Sequence, residues 1–167
     1  MKRITVALVA LVAPYLWWNH VTTLAARVPT QADPNVALAK AEALWQKQKP
    51  PAYEFSVEVR CFCPDLLRKP ISFRVTGATV QALEELGPRS HRIYEYYNSI
   101  DKLFDAIRRA IKFGGYKIAV DYDADHGFPS NADLDPRETV ADDELVFKVT
   151  GFRKIRPPSG MPNAANR

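Results

Sequence analysis

Apolar and polar residues alternate strictly through YEFSVEVRCFC (53–63), with Tyr53, Phe55, Val57, Val59, Cys61 and Cys63 on one face and Glu54, Ser56, Glu58 and Arg60 on the other. A period of two predicts a half-buried strand. ISFRVTGATVQAL (71–83) makes two more strands around a Thr76-Gly77 turn, a hairpin signal. YKIAVDYD (116–123) alternates again, with Tyr116, Ile118, Val120 and Tyr122 inward. A weaker strand follows near Pro129–Leu134, and ELVFKVTGFRKI (144–155) supplies the last.

Helical periodicity appears twice. In 33–51, Ala37, Ala41, Leu44 and Trp45 share a face, behind Asp33 as N-cap and Pro34 at the first helical position, and Pro50-Pro51 closes the segment. In 98–115, Ser99 caps a stripe of Ile100, Leu103, Phe104, Ile107, Ala110 and Ile111. Asp101 lies in its first turn, Lys112 in its last, and Gly114 ends it. These elements predict an α+β fold: one antiparallel sheet of five or six strands with two helices on one face. YEFSVEV and YKIAVDY correspond, and each follows a helix and precedes two further strands. That rhyme predicts an α-β-β-β unit used twice.

The N-terminus is of a different kind. Lys2 and Arg3 precede an apolar run from Ile4 to Trp18, then a polar stretch ending in small residues, the layout of a secretory signal peptide. Thr23 and Ala25 suit the −3 and −1 positions, so residues 1–25 are expected to be removed and a mature chain to begin at Ala26. The alternative is an uncleaved anchor over residues 4–26, although a spanning helix needs about 20 apolar residues and Pro14 interrupts this run. Both readings place the folded part outside the cytoplasm, periplasmic or extracellular, with the membrane touched only through this segment. Residues 26–155 then form one domain, and RPPSGMPNAANR (156–167) reads as a disordered tail.

Export changes the meaning of the charges. Without Lys2 and Arg3, 21 basic residues face 19 acidic ones, which is no nucleic-acid footprint. Residues 121–144 hold nine carboxylates against one base, Arg137, and the rest of the mature chain is strongly basic. Segregation of this kind suits an interaction surface for an envelope protein or ligand.

Several groups carry candidate chemistry. Cys61 and Cys63 are the only cysteines. Two residues of strand span about 6.6 Å, near the upper limit for a disulfide, so a bridge needs a bend, which Pro64 helps to provide. A structural disulfide, a buried thiol pair, and redox or metal chemistry all remain open. Asp121, Asp123 and Asp125 alternate as in a calcium loop, but the glycine comes one residue late, at Gly127, and Ala132 stands where a bidentate Glu belongs. A looser calcium site drawing also on Asp133 and Asp135 is the metal expectation, against a solvated hairpin loop; His126 stands beside it. Asp142, Asp143 and Glu144 form a second acidic run. Tyr94, Tyr96 and Tyr97 cluster ahead of the second helix, as a partner-binding surface or as packing. No nucleophile–base–acid arrangement can be built around His91, and no catalytic residue is assigned.

Taken together, CFCP (61–64), FRVTGATV (73–80), SIDKLFDAI (99–107), VDYDADHGFP (120–129) and ADDELVFKV (141–149) resemble a bacterial exported group, domain-of-unknown-function family 6174. The resemblance implies secreted proteins or lipoproteins and supplies no activity, cofactor or catalytic residue. Many such proteins carry a lipid-attachment cysteine, and no cysteine follows the apolar run here. The functional expectation is an exported, non-enzymatic module that binds a protein or ligand through its open sheet face and acidic loops. The alternative is an exported thiol/disulfide or metal-binding protein centred on Cys61 and Cys63.

Overall fold

A computed structural model describes residues 33–61, 69–140 and 143–157, which belong to one unit. The segment read as signal peptide or anchor, Cys63, Asp142 and nearly all of the C-terminal tail lie outside the described residues. None of the described helices is long and apolar enough to cross a membrane.

The elements run α1 (Pro34–Gln48), β1 (Ala52–Cys61), β2 (Ile71–Thr76), β3 (Thr79–Ala82), α2 (Pro88–Tyr94), α3 (Ile100–Lys112), β4 (Lys117–Tyr122), β5 (Pro129–Asp135) and β6 (Leu145–Lys154). The strands form one antiparallel sheet ordered β3-β2-β1-β6-β5-β4. This is the α+β architecture expected, at the upper strand count and with a third, short helix added. The caps fall where the sequence puts them: Asp33 Oδ1 accepts from Asn35 N at 2.8 Å, and Ser99 Oγ from Lys102 N at 3.3 Å.

The element order does follow two α-β-β-β halves, yet their hand differs. Both meanders advance toward the β3 edge, while β1 and β4 run in opposite directions. Rotating one half onto the other would carry its helix to the opposite face of the sheet. Here the helices share a face, because Tyr53 on β1 touches both: its ring meets Trp45 of α1, and its hydroxyl accepts from Ile100 N at the start of α3. The halves share element order and not handedness.

On that face the alternating strand residues Tyr53, Phe55, Val57, Val59, Phe73, Val75, Ala132, Leu134, Phe147 and Val149 meet Leu38, Ala41 and Trp45 of α1 and the apolar stripe of α3. A bulge is needed to complete this core. Glu54 pairs Arg153 but Ser56 pairs Thr150, so β6 carries one extra residue there. Gly151, at φ +63°, absorbs the extra residue. The side-chain parity of β6 therefore switches, and Phe152 points inward against Phe128 at 4.5 Å and Tyr53 at 5.7 Å.

The β4–β5 hairpin is fastened to α1 by close approach. Gly127 sits at φ +80°, and a Cβ there would lie 2.5 Å from Ala41 O and 2.9 Å from Leu44 Cβ. Only glycine permits both the backbone angle and the contact.

The opposite face is polar, and no described helix covers it. At its centre the Glu54 carboxylate is clasped by Arg74 from β2, at 2.7 Å, and by Arg153 from β6. Both arginines are its direct cross-strand neighbours. The two guanidiniums hold its carboxyl below the usual carboxylate range, Arg74 most strongly.

Candidate functional site: two clefts beside α3

Helix α3 has an apolar stripe sunk in the core and a polar side carrying Lys102, Asp105 and Arg109 at helical spacing. A cleft opens on each flank, and Arg109 lines both.

The first cleft, of about 270 Å³, lies between the C-terminal half of α3 and the ends of β1, β5 and β6. Its apolar wall includes Ala110, Phe113, Leu134 and Leu145, and its polar rim is Tyr97, Arg109, Asp143 and Glu144, with Cys61 beside them. The cleft therefore joins three groups that the sequence keeps far apart: the cysteine segment, the tyrosine cluster and the second acidic run. Asp143 is the informative member. Its Oδ2 pairs with Arg137 Nε at 2.7 Å, while its Oδ1 is buried with no hydrogen-bond partner among the described residues. A buried acceptor without a donor is costly, and its presence in a cleft wall marks a place where an incoming donor is rewarded. Burial also raises the Tyr97 hydroxyl above its ordinary pKa, partly offset by the Arg109 charge, so it stays a neutral donor.

The second cleft, of about 620 Å³, lies between the β2–β3 hairpin, α2 and α3. Ala78, Val80, His91, Glu95, Tyr96, Asn98, Lys102, Asp105 and Arg109 surround it.

The structure divides the tyrosine cluster three ways. Tyr94 is core: it is 1% exposed, packs on Phe73 at 5.8 Å and donates from its hydroxyl to Lys69 O at 3.2 Å. Tyr96 is exposed in the second cleft, and Tyr97 is half-buried in the first. Of the acidic run, Asp143 and Glu144 both line the first cleft.

The five aspartates proposed for calcium do not converge. Strand alternation places Asp121, Asp133 and Asp135 on the open sheet face. There Asp133 pairs with Lys117 at 2.6 Å, Asp121 accepts from Asn131 Nδ2 at 3.4 Å, and Asp135 accepts from Arg137 N. Asp123 belongs to the β4–β5 loop, and its Oδ1 accepts from Asp125 N, His126 N and, at 3.0 Å, His126 Nδ1. Asp123, Asp125 and His126 do lie together, their ligand atoms within 4.8 Å of one another. The Asp123 oxygen is already engaged in shaping the turn that docks on α1. His126 is held the same way, with its ring 5.1 Å from Phe152.

No free cysteine occurs among the described residues. No motif in the sequence alone marks Arg109, Phe113, Asn98, Lys102 or Asp105 as a site. For the three on α3, the 102-105-109 spacing opposite the apolar stripe was the available signal.

The sequence pattern of a family described as of unknown function (DUF6174) matches residues 37–154, a span that includes all six strands and every cleft residue named above. Neither the curated proteins nor the solved structures contain a match.

Proposed function

We propose that this chain, which belongs to the family of unknown function DUF6174, is an exported, non-enzymatic module of the cell envelope that binds a protein partner through the first cleft. The observation that carries this reading is Asp143 Oδ1, a buried acceptor without a partner among the described residues, in a cleft that also presents Tyr97, Arg109 and Glu144 above an apolar floor. Fully enclosed polar groups in a folded protein are nearly always satisfied; one left open beside an apolar surface suits a partner that brings both a donor and an apolar side chain. Phe113, 62% exposed at the rim, adds an aromatic anchor of the type that dominates interfaces. The N-terminal basic and apolar pattern supports export.

A photo-crosslinking residue placed at Phe113 in the native host tests this reading, with Gln81 on the opposite sheet face as control. The reading expects one discrete adduct from position 113 and none from 81. Equal labelling from both positions, or none from 113, contradicts it.

The thiol reading stays as the alternative because Cys61 lines the same cleft. In the binding reading Cys61 and Cys63 form a structural bridge that ends β1. In the thiol reading the pair exchanges with a partner dithiol.

A further inference from the structure

We propose that the second cleft is a binding site for a neutral saccharide. The cleft is separate from the proposed partner site, sharing with it only the Arg109 wall, and the inference does not depend on that reading. Its volume, about 620 Å³, falls in the range of small-molecule sites.

The chemistry of the lining selects the ligand class. Glu95 and Asp105 bring two negative charges, Lys102 and Arg109 two positive ones, so the cleft has no net charge with which to select an ion. It presents many donors and acceptors close together instead, and Ala78, Val80 and the Tyr96 ring are its main apolar surfaces. A sugar matches this surface: its hydroxyls donate and accept at once, and its C–H face packs on an aromatic ring. Tyr96 offers that ring, 58% exposed, where a core role would have buried it.

Asn98 supplies a second observation. Its Oδ1 is buried and has no hydrogen-bond partner among the described residues, although the residue itself is only half-buried and lines the cleft. A rotation of the Asn98 side chain into the cleft would let a hydroxyl or acetamide N–H of the ligand satisfy it. Much of the remaining lining is held in place before any ligand arrives: Lys102 Nζ donates to Glu95 O at 2.5 Å, and Asp105 is tied to Arg108. A peptide would present the same amide donor. It would also need apolar pockets for its side chains, and this lining has few.

The test uses the full chain, 15N-labelled, titrated with N,N′-diacetylchitobiose, with cellobiose and with a capped trialanine peptide. The expected result is saturable amide shifts at Val80, Tyr96, Asn98 and Lys102 with one or both disaccharides, at a dissociation constant on the order of 1 mM or tighter. Response to diacetylchitobiose alone assigns the Asn98 oxygen to the acetamide; response to both assigns it to a hydroxyl. Tyr96→Ala and Asn98→Ala should each weaken binding about tenfold, and the exposed Tyr96 site keeps one variant folded if the other is impaired. Three results would overturn the proposal: no shift with either disaccharide, shifts unchanged in both variants, or binding of the peptide in preference to the sugars.

Discussion

Gly127→Ala should be among the more damaging single-methyl additions in this protein, and the structure allows its cost to be separated into two parts. The first is backbone strain: Gly127 stands at φ +80°, and a left-handed conformation costs an L-residue about 1–2 kcal/mol. The second is packing. The new Cβ would lie 2.5 Å from Ala41 O, 2.9 Å from Leu44 Cβ and 3.0 Å from Trp45 N. Two of these atoms are helix backbone and cannot turn aside. Either α1 or the β4–β5 loop must retreat, and forced repacking of this kind costs about 1–3 kcal/mol. Gly77→Ala provides the control. Its φ is also positive, +56°, but a Cβ there meets nothing within 4 Å, so it carries strain alone. Alanine also restricts the unfolded chain, which returns about 0.4–1 kcal/mol in both variants. Gly127→Ala should therefore exceed Gly77→Ala by about 1–3 kcal/mol, read from urea unfolding followed by far-UV circular dichroism. Equal costs would mean that the hairpin does not sit on α1, and the docking described here would be wrong.

Further outcomes follow from the same geometry. Burial raises Tyr94 and Tyr122 to about 12, and raises Tyr53 and Tyr97 as well. A raised folded pKa gives stability that is intact below the unfolded value of 10 and is lost as pH rises toward 12, so urea midpoints should fall across that window; a flat profile would contradict the burial. Glu54 behaves oppositely. Its carboxyl is depressed by Arg74 and Arg153, so its contribution is present above about 4.5 and is lost as pH falls through the folded value; the acid limb should be shallower in Glu54→Gln, and an unchanged limb counts against the clasp. Asp101 accepts from the fully buried Trp45 Nε1 at 3.1 Å and pairs with Lys49. Asp101→Ala orphans that indole and should cost about 1–3 kcal/mol, whereas Asp101→Asn keeps an acceptor and should cost less; equal losses would deny the hydrogen bond. Calcium at about 1 mM, the weak end of the range of extracellular sites, should leave the melting midpoint unchanged, and a chelator-reversible rise would establish a calcium site at the aspartates.

Much of the fold was legible because it is written in local periodicity. The stripe on α3 and the alternation in β1 identify both element and buried face, and the Asp33 and Ser99 caps mark where helices start. Helix α2 escaped because seven residues carry too little periodicity, and Gly87 makes no side-chain capping bond; Pro88 at its first turn was the sole cue. Handedness escaped because a rhyme such as YEFSVEV and YKIAVDY records strand identity and says nothing of which edge the next strand joins. In the acidic loop, nearness in sequence is not nearness in space. Asp121 through Asp135 are neighbours in sequence, yet a period of two sends three of them to the open face and leaves Asp123 to build the turn. The first cleft was invisible as a unit, since Tyr97, Arg109 and Asp143 come from separate parts of the chain and meet only where β1 and β5 end and β6 begins beside α3.

The claim at the centre is that the first cleft binds through Asp143 and not through cysteine chemistry. The direct measurement is adduct yield from the photo-crosslinker at position 113 in three backgrounds: unaltered, Asp143→Ala, and Cys61→Ser with Cys63→Ser. Binding through Asp143 requires that Asp143→Ala abolish the adduct and that the double serine variant retain it in proportion to folded protein. An adduct that survives Asp143→Ala and disappears from folded serine variant would rule out binding through Asp143 and make the cysteines the working site.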